Sequence, residues 1–81
     1  MDITERIVCI NSFEADIVQR ILIGSGYEWA SGKKTCRLFR EKEFPISLSF
    51  WYNQRIKYAP NTLGFNSITF GEFITKMEEQ L

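Results

Sequence analysis

Apolar and polar positions alternate along this chain with two different periods. Arg6-Ile7-Val8-Cys9-Ile10 is a short run in which both alternate sets are apolar, the pattern of a strand covered on both faces. Asn11 follows, with Glu14 three residues on, which predicts a capped helix start and a helix over about 13–23. Ile17, Val18, Ile21 and Leu22 then share one helical face, with Phe13 one turn earlier. Asp16 and Arg20 have the spacing of a favourable helical ion pair. Gly24 and Gly26 end the helix, because glycine accepts the left-handed conformation at low cost. Tyr27-Glu28-Trp29 starts a second strand, which Ala30-Ser31-Gly32 breaks.

From Lys33 to Glu43 the periodicity fades and charge is dense, so this stretch reads as a long loop with at most a short strand at Thr35–Phe39. Ile46, Leu48, Phe50 and Tyr52 then alternate with Ser47, Ser49 and Trp51, the clearest strand pattern in the chain. Asn53-Gln54 suits a two-residue turn, and Arg55-Ile56-Lys57-Tyr58-Ala59 returns with Ile56 and Tyr58 inward. Pro60–Asn66 reads as a loop and Ser67-Ile68 as a brief edge strand. Thr69 and Glu72 form a second capping box, with Ile68 and Phe73 at staple spacing. The closing helix, about 70–80, carries a stripe of Phe70, Phe73, Ile74, Met77 and Leu81. The predicted fold is therefore one α+β domain, residues 1–81, in the order β-α-β-β-β-(β)-α. Its two helices pack on one face of a small antiparallel sheet of three to five strands.

Composition narrows the class without changing this picture. An apolar fraction of 44% and a net charge of zero argue against disorder. No apolar run approaches the length of a membrane span, and the first residues lack the basic start and apolar core of a secretion signal. Two cysteines are too few to staple a small secreted domain, so Cys9 and Cys36 are expected to be thiols in a reducing cytoplasm. Cys9 falls in a core run. Cys36 lies among basic residues, which predicts a lowered pKa and the more reactive thiol.

Candidate chemistry is sparse. The chain has no histidine, the commonest general base, and no Cys/His cluster with zinc spacing. Its acidic residues are scattered or paired at solvated positions. Gly32-Lys33-Lys34-Thr35 is not a phosphate loop, because Tyr27 stands where the first glycine is required and Lys34 where Ser or Thr is required. We therefore expect no enzyme and no metal or other cofactor. The neutral total conceals an asymmetry. Residues 29–60 carry seven basic and two acidic side chains, a net of +5, while residues 1–28 carry two basic and five acidic. Aromatics overlap the basic region. Trp29, Lys33, Lys34, Arg37, Trp51, Arg55 and Lys57 make up a candidate basic-aromatic binding surface, with Trp51 as its anchor and the 33–43 loop as its rim. Such a surface suits a protein partner, and it also suits a nucleotide or nucleic acid. Burial of Trp51 under a helix or under that loop is the competing expectation.

The segment Gly26-Tyr27-Glu28-Trp29-Ala30-Ser31-Gly32 after an amphipathic helix, together with Ile68-Thr69-Phe70-Gly71-Glu72-Phe73, resembles the GYxWxSG turn and closing ITFxEF element of small accessory proteins of tailed bacteriophages. The resemblance spans about residues 12–76, and the basic segment 33–43 departs from it. It implies a small protein, placed in the host cytoplasm, that binds and inhibits or modulates a host or anti-phage defence protein. A nucleotide- or nucleic-acid-sequestering module and a self-associating assembly protein are the two alternatives carried forward; no membrane partner is expected.

Overall fold

A computed structural model describes residues 3–60 and 66–79, apart from the Tyr52 side chain. Most of the expected 60–66 loop, the place of Tyr52 on the inner strand face and the last stripe residue, Leu81, lie outside the described residues. The element order is β1 (Arg6–Cys9), α1 (Ser12–Gly24), β2 (Glu28–Trp29), β3 (Ile46–Ser49), β4 (Arg55–Pro60), β5 (Ser67–Thr69) and α2 (Phe70–Glu79), with single 3-10 turns at Glu41–Glu43 and Tyr52–Gln54. This is an α+β fold in the order that the periodicities predict.

The sheet is mixed rather than antiparallel. Its strands lie in the order β2-β4-β3-β1-β5. The central pairs, β1 with β3 and β3 with β4, are antiparallel, whereas β5 joins β1 and β2 joins β4 in parallel. A helix returns the chain to the end of the sheet from which it started, so the strand after α1 runs in the same direction as β1. Period-two alternation encodes which side chains share a face, but not which strand lies alongside or in which direction.

Register gives the core face directly. Ile7 stands opposite Leu48 and beside Ile68, Cys9 opposite Ile46, and Trp29 beside Ile56. All are buried, and with Val18 and Leu22 of α1 and Phe73 of α2 they form one apolar cluster. Both helices thus contribute to a single core, as the stripe patterns predict. The Phe50 ring joins the two ends of that core, meeting Tyr27 edge-on at 5.4 Å and Phe73 at 6.4 Å.

Both helix starts are built as their sequences indicate. Asn11 Oδ1 accepts the Glu14 N–H at 2.9 Å, while Glu14 reaches back to the Ile10 N–H at 3.1 Å. Thr69 and Glu72 exchange the two bonds of a capping box, at 3.0 and 3.1 Å. The buried face of α1 is rotated from the expected one. It consists of Ala15, Val18, Gln19 and Leu22, leaving Ile17 and Ile21 at its border and Phe13 outside.

The hairpin turns at Asn53-Gln54 as predicted, with positive φ at both residues (53° and 56°). Regular pairing stops earlier than the alternation suggests, with Ser49 opposite Lys57 as the last pair, so Trp51 follows the strand instead of lying in it.

Candidate functional site

The segment between β2 and β3 makes one side of the molecule, and three features fix it. Gly26 and Gly32, with φ of 98° and 90°, close a turn in which the Trp29 N–H donates to Lys33 O and the Gly32 N–H donates to Trp29 O. A side chain at either position would be strained in that conformation, which accounts physically for the glycines that frame the GYEWASG stretch. The second feature is Phe39, a loop residue buried within the core cluster. Its ring lies 5.0 Å from Tyr58, 6.0 Å from Phe44 and 6.4 Å from Trp29.

The third feature is Gln19, a polar side chain that is fully buried. Its amide oxygen accepts the Arg37 N–H at 2.5 Å and its amide nitrogen donates to Arg37 O at 3.0 Å and Ala15 O at 3.2 Å. The side chain thereby pairs with the loop backbone as a neighbouring strand would. Fixing one residue's backbone costs about 1–2 kcal/mol. Burying one phenyl ring returns about 1.5–3 kcal/mol. Phe39 therefore secures only its immediate neighbours, and the paired bonds from Gln19 secure Arg37.

Held this way, Arg37 lays its guanidinium over two rings, 4.7 Å from Tyr58 and 5.2 Å from Phe39. Trp29, Tyr58, Lys33, Cys36, Arg37 and Leu38 line a cleft of about 590 Å³. A second concavity of about 370 Å³ adjoins it, sharing Arg37 and Leu38 and bounded by Phe13, Asp16 and Phe39. Leu38 is 88% exposed and Phe13 67% exposed. Two large apolar side chains thus stand in solvent around one hollow.

The seven residues singled out in the sequence do not share one surface. Trp29, Lys33, Lys34 and Arg37 belong to the loop side, and Trp29 is itself buried against Phe39 and Tyr58. Its Nε1 has no hydrogen-bond partner among the described residues. Arg55 and Lys57 alternate with the buried Ile56 and so project from the opposite face of the sheet. Arg55 is ion-paired with Glu28, its register partner on β2. Trp51, beyond the end of β3, is 39% exposed with its ring 6.4 Å from that of Phe50; it is not buried under a helix or under the 33–43 loop. Strand alternation explains the division, since Trp29 sits in register with Ile56 rather than with Arg55.

Sequence reasoning missed Phe13, Leu38 and Tyr58 as surface residues. Phe13 has helical spacing to the apolar stripe, and only the rotation of α1 about Gln19 exposes it. Tyr58 does face inward as expected, but at the rim of the core, 41% exposed. The buried glutamine in an apolar helical stripe is the one sequence signal that could have revealed the rotation.

Electrostatics corrects the expectation for Cys36. Partial burial and the neighbouring Asp16 carboxylate push its thiol pKa up, and Arg20 opposes them only partly. Asp16 is itself paired with Arg20 at 2.7 Å. The groups that act on the thiol are Asp16 and Arg20 of α1 rather than the basic residues beside it in the loop, so the thiol is less acidic than an ordinary one. Cys9, as expected, is a core residue, with burial raising its pKa to about 12. Both cysteines are free thiols.

Among the described residues, no group of three or more His, Cys, Asp or Glu side chains could hold a metal ion, and no helix is long and apolar enough to cross a membrane. Compared with known proteins, the chain matches no family model, no curated protein and no solved structure.

Proposed function

We propose that this protein acts by binding rather than catalysis, docking a protein partner on the loop side of the molecule. The observation that carries this reading is the exposure of Leu38 and Phe13 around one hollow, next to a stacked arginine. Apolar side chains grouped in solvent are typical of interaction surfaces, and arginine and aromatic residues are enriched among the residues that dominate binding energy. On the bacteriophage resemblance, the partner is a host or anti-phage defence protein, met in the host cytoplasm and inhibited by occlusion. Trp51 beyond the end of β3, and Arg55 and Lys57 on the opposite face of β4, lie outside this surface.

Nucleotide or nucleic-acid binding is the weaker reading at this cleft. The Tyr58 ring is covered by Arg37 and edged by Trp29 and Phe39, so a base has no open aromatic face there on which to stack. Self-association through Leu38 and Phe13 would appear as concentration-dependent size.

The test is capture from bacterial lysate by the immobilised chain, in three forms. Wild type and Trp51→Ala are expected to retain a stoichiometric host protein, and Leu38→Asp to lose it while keeping its urea midpoint. Loss with Trp51→Ala but not with Leu38→Asp would move the docking surface to the hairpin. Loss with neither would remove the proposal.

A further inference from the structure

We infer that the two adjoining hollows take a single acidic–apolar segment of a partner protein, with a carboxylate on Arg37 and Lys33 and an apolar side chain between Leu38 and Phe13. The inference rests on the protein-docking reading and names the chemistry of the partner. Charge complementarity argues for it. Lys33 and Arg37 line the larger hollow together with the hydroxyls of Ser31 and Thr35, and none of its lining residues is acidic. Arg37 is positioned without being consumed. Its backbone is fixed by Gln19 and its guanidinium by two ring faces.

The one carboxylate in ion-pair range of Arg37 among the described residues is Glu43, at 3.9 Å, longer than a hydrogen bond. The other Glu43 oxygen is committed to the Arg40 N–H at 2.6 Å. A planar guanidinium already held in place loses little freedom when a carboxylate arrives, and its fork matches two carboxylate oxygens. The acidic group at the second hollow, Asp16, is paired with Arg20 and leaves Phe13, Leu38 and Phe39 as the apolar walls. Because the hollows share Arg37 and Leu38, one short stretch of chain would reach both.

The experiment follows backbone amide shifts of the full chain during titration with the acetylated peptide Glu-Asp-Gly-Leu-Leu-amide. Saturable shifts are expected at residues 33–38 and 13–16. Replacing the carboxylates by Gln and Asn, or the leucines by serines, should weaken binding about tenfold or more. Arg37→Lys keeps the charge without the fork and should weaken it severalfold, with unchanged shifts at Ile7, Leu48 and Ile56 showing an intact core.

Absence of saturable shifts, or equal affinity for the uncharged peptide, would overturn the inference. So would the same shifts produced by decathymidylate or inorganic phosphate, which would make the cleft a phosphate site. If Leu38→Asp loses the lysate partner while the acidic peptide does not bind, the docking reading stands and only the acidic segment falls. If the peptide binds while Leu38→Asp keeps the partner, the hollows take an acidic peptide but the captured protein docks elsewhere, and the docking reading falls together with the inference that rests on it.

Discussion

Gln19 is the residue on which the loop side turns. Its amide satisfies both backbone groups of Arg37, so truncation leaves a part-buried N–H and C=O without that partner, a cost of up to about 1–3 kcal/mol for each group. Gln19→Ala should lower stability by about 2–4 kcal/mol in urea titration, and hydrogen exchange at the Arg37 amide should lose its protection selectively. Cys36 supplies a second residue-level test. Asp16 disfavours the thiolate, so removing its charge lowers the thiol pKa and raises the reactive fraction at mildly alkaline pH. Asp16→Asn should therefore speed alkylation of Cys36 by iodoacetamide at about pH 8. An unchanged or slower rate would show that burial alone sets the shift. The sequence disclosed the identity of these residues but not their surroundings, which are burial and the Asp16 carboxylate for Cys36 and the Arg37 backbone for Gln19.

At the scale of elements, local signals were the most legible. Caps at Asn11 and Thr69, the left-handed Gly26 just past the end of α1 and the turn at Asn53-Gln54 all follow from chemistry within a few residues, and all appear in the structure, although Gly24 stays within the helix. Strand direction and partner were not legible, because the α1 crossover and the placement of β5 beside β1 depend on contacts far apart in sequence. The turn also carries an identifiable cost. Gln54 holds φ at 56°, a conformation that costs a side-chain-bearing residue about 1–2 kcal/mol, whereas glycine enters it freely. Gln54→Gly should raise the melting temperature, with a gain of about 0.5–1 kcal/mol once the added flexibility of the unfolded chain is counted. A decrease would mean that the Gln54 side chain makes contacts worth more than the strain.

For the molecule as a whole, the distribution of charge was readable from sequence and its geometry was not. The basic middle third is divided between two faces by the alternation of β4, and one of its cations is taken up by Glu28. The parts of the core from the β3 segment and α2 were apparent, since Ile46, Leu48, Phe50 and Phe73 all lie where their periodicity puts them, whereas Phe39 and the rotated face of α1 were not. That core imposes an alkaline limit. With the Cys9 pKa raised from 9.0 unfolded to about 12 folded, its contribution to stability is complete below pH 9.0 and declines as pH rises toward about 12. Cys9→Ala should flatten the loss of stability across that window in denaturant titrations at fixed pH; an equally steep loss in the variant would assign the effect to other groups.

The grip of Gln19 falls on peptide atoms, not on side chains, and this separates how the loop is attached from what it displays. Positions 36 and 38 can exchange one side chain for another without releasing the anchor between them, and position 37 is barred only to proline, which has no N–H to offer. A protein made this way can alter its specificity by rapid substitution at its outermost positions while its architecture is inherited intact, an advantage to any molecule whose target is itself evolving to escape.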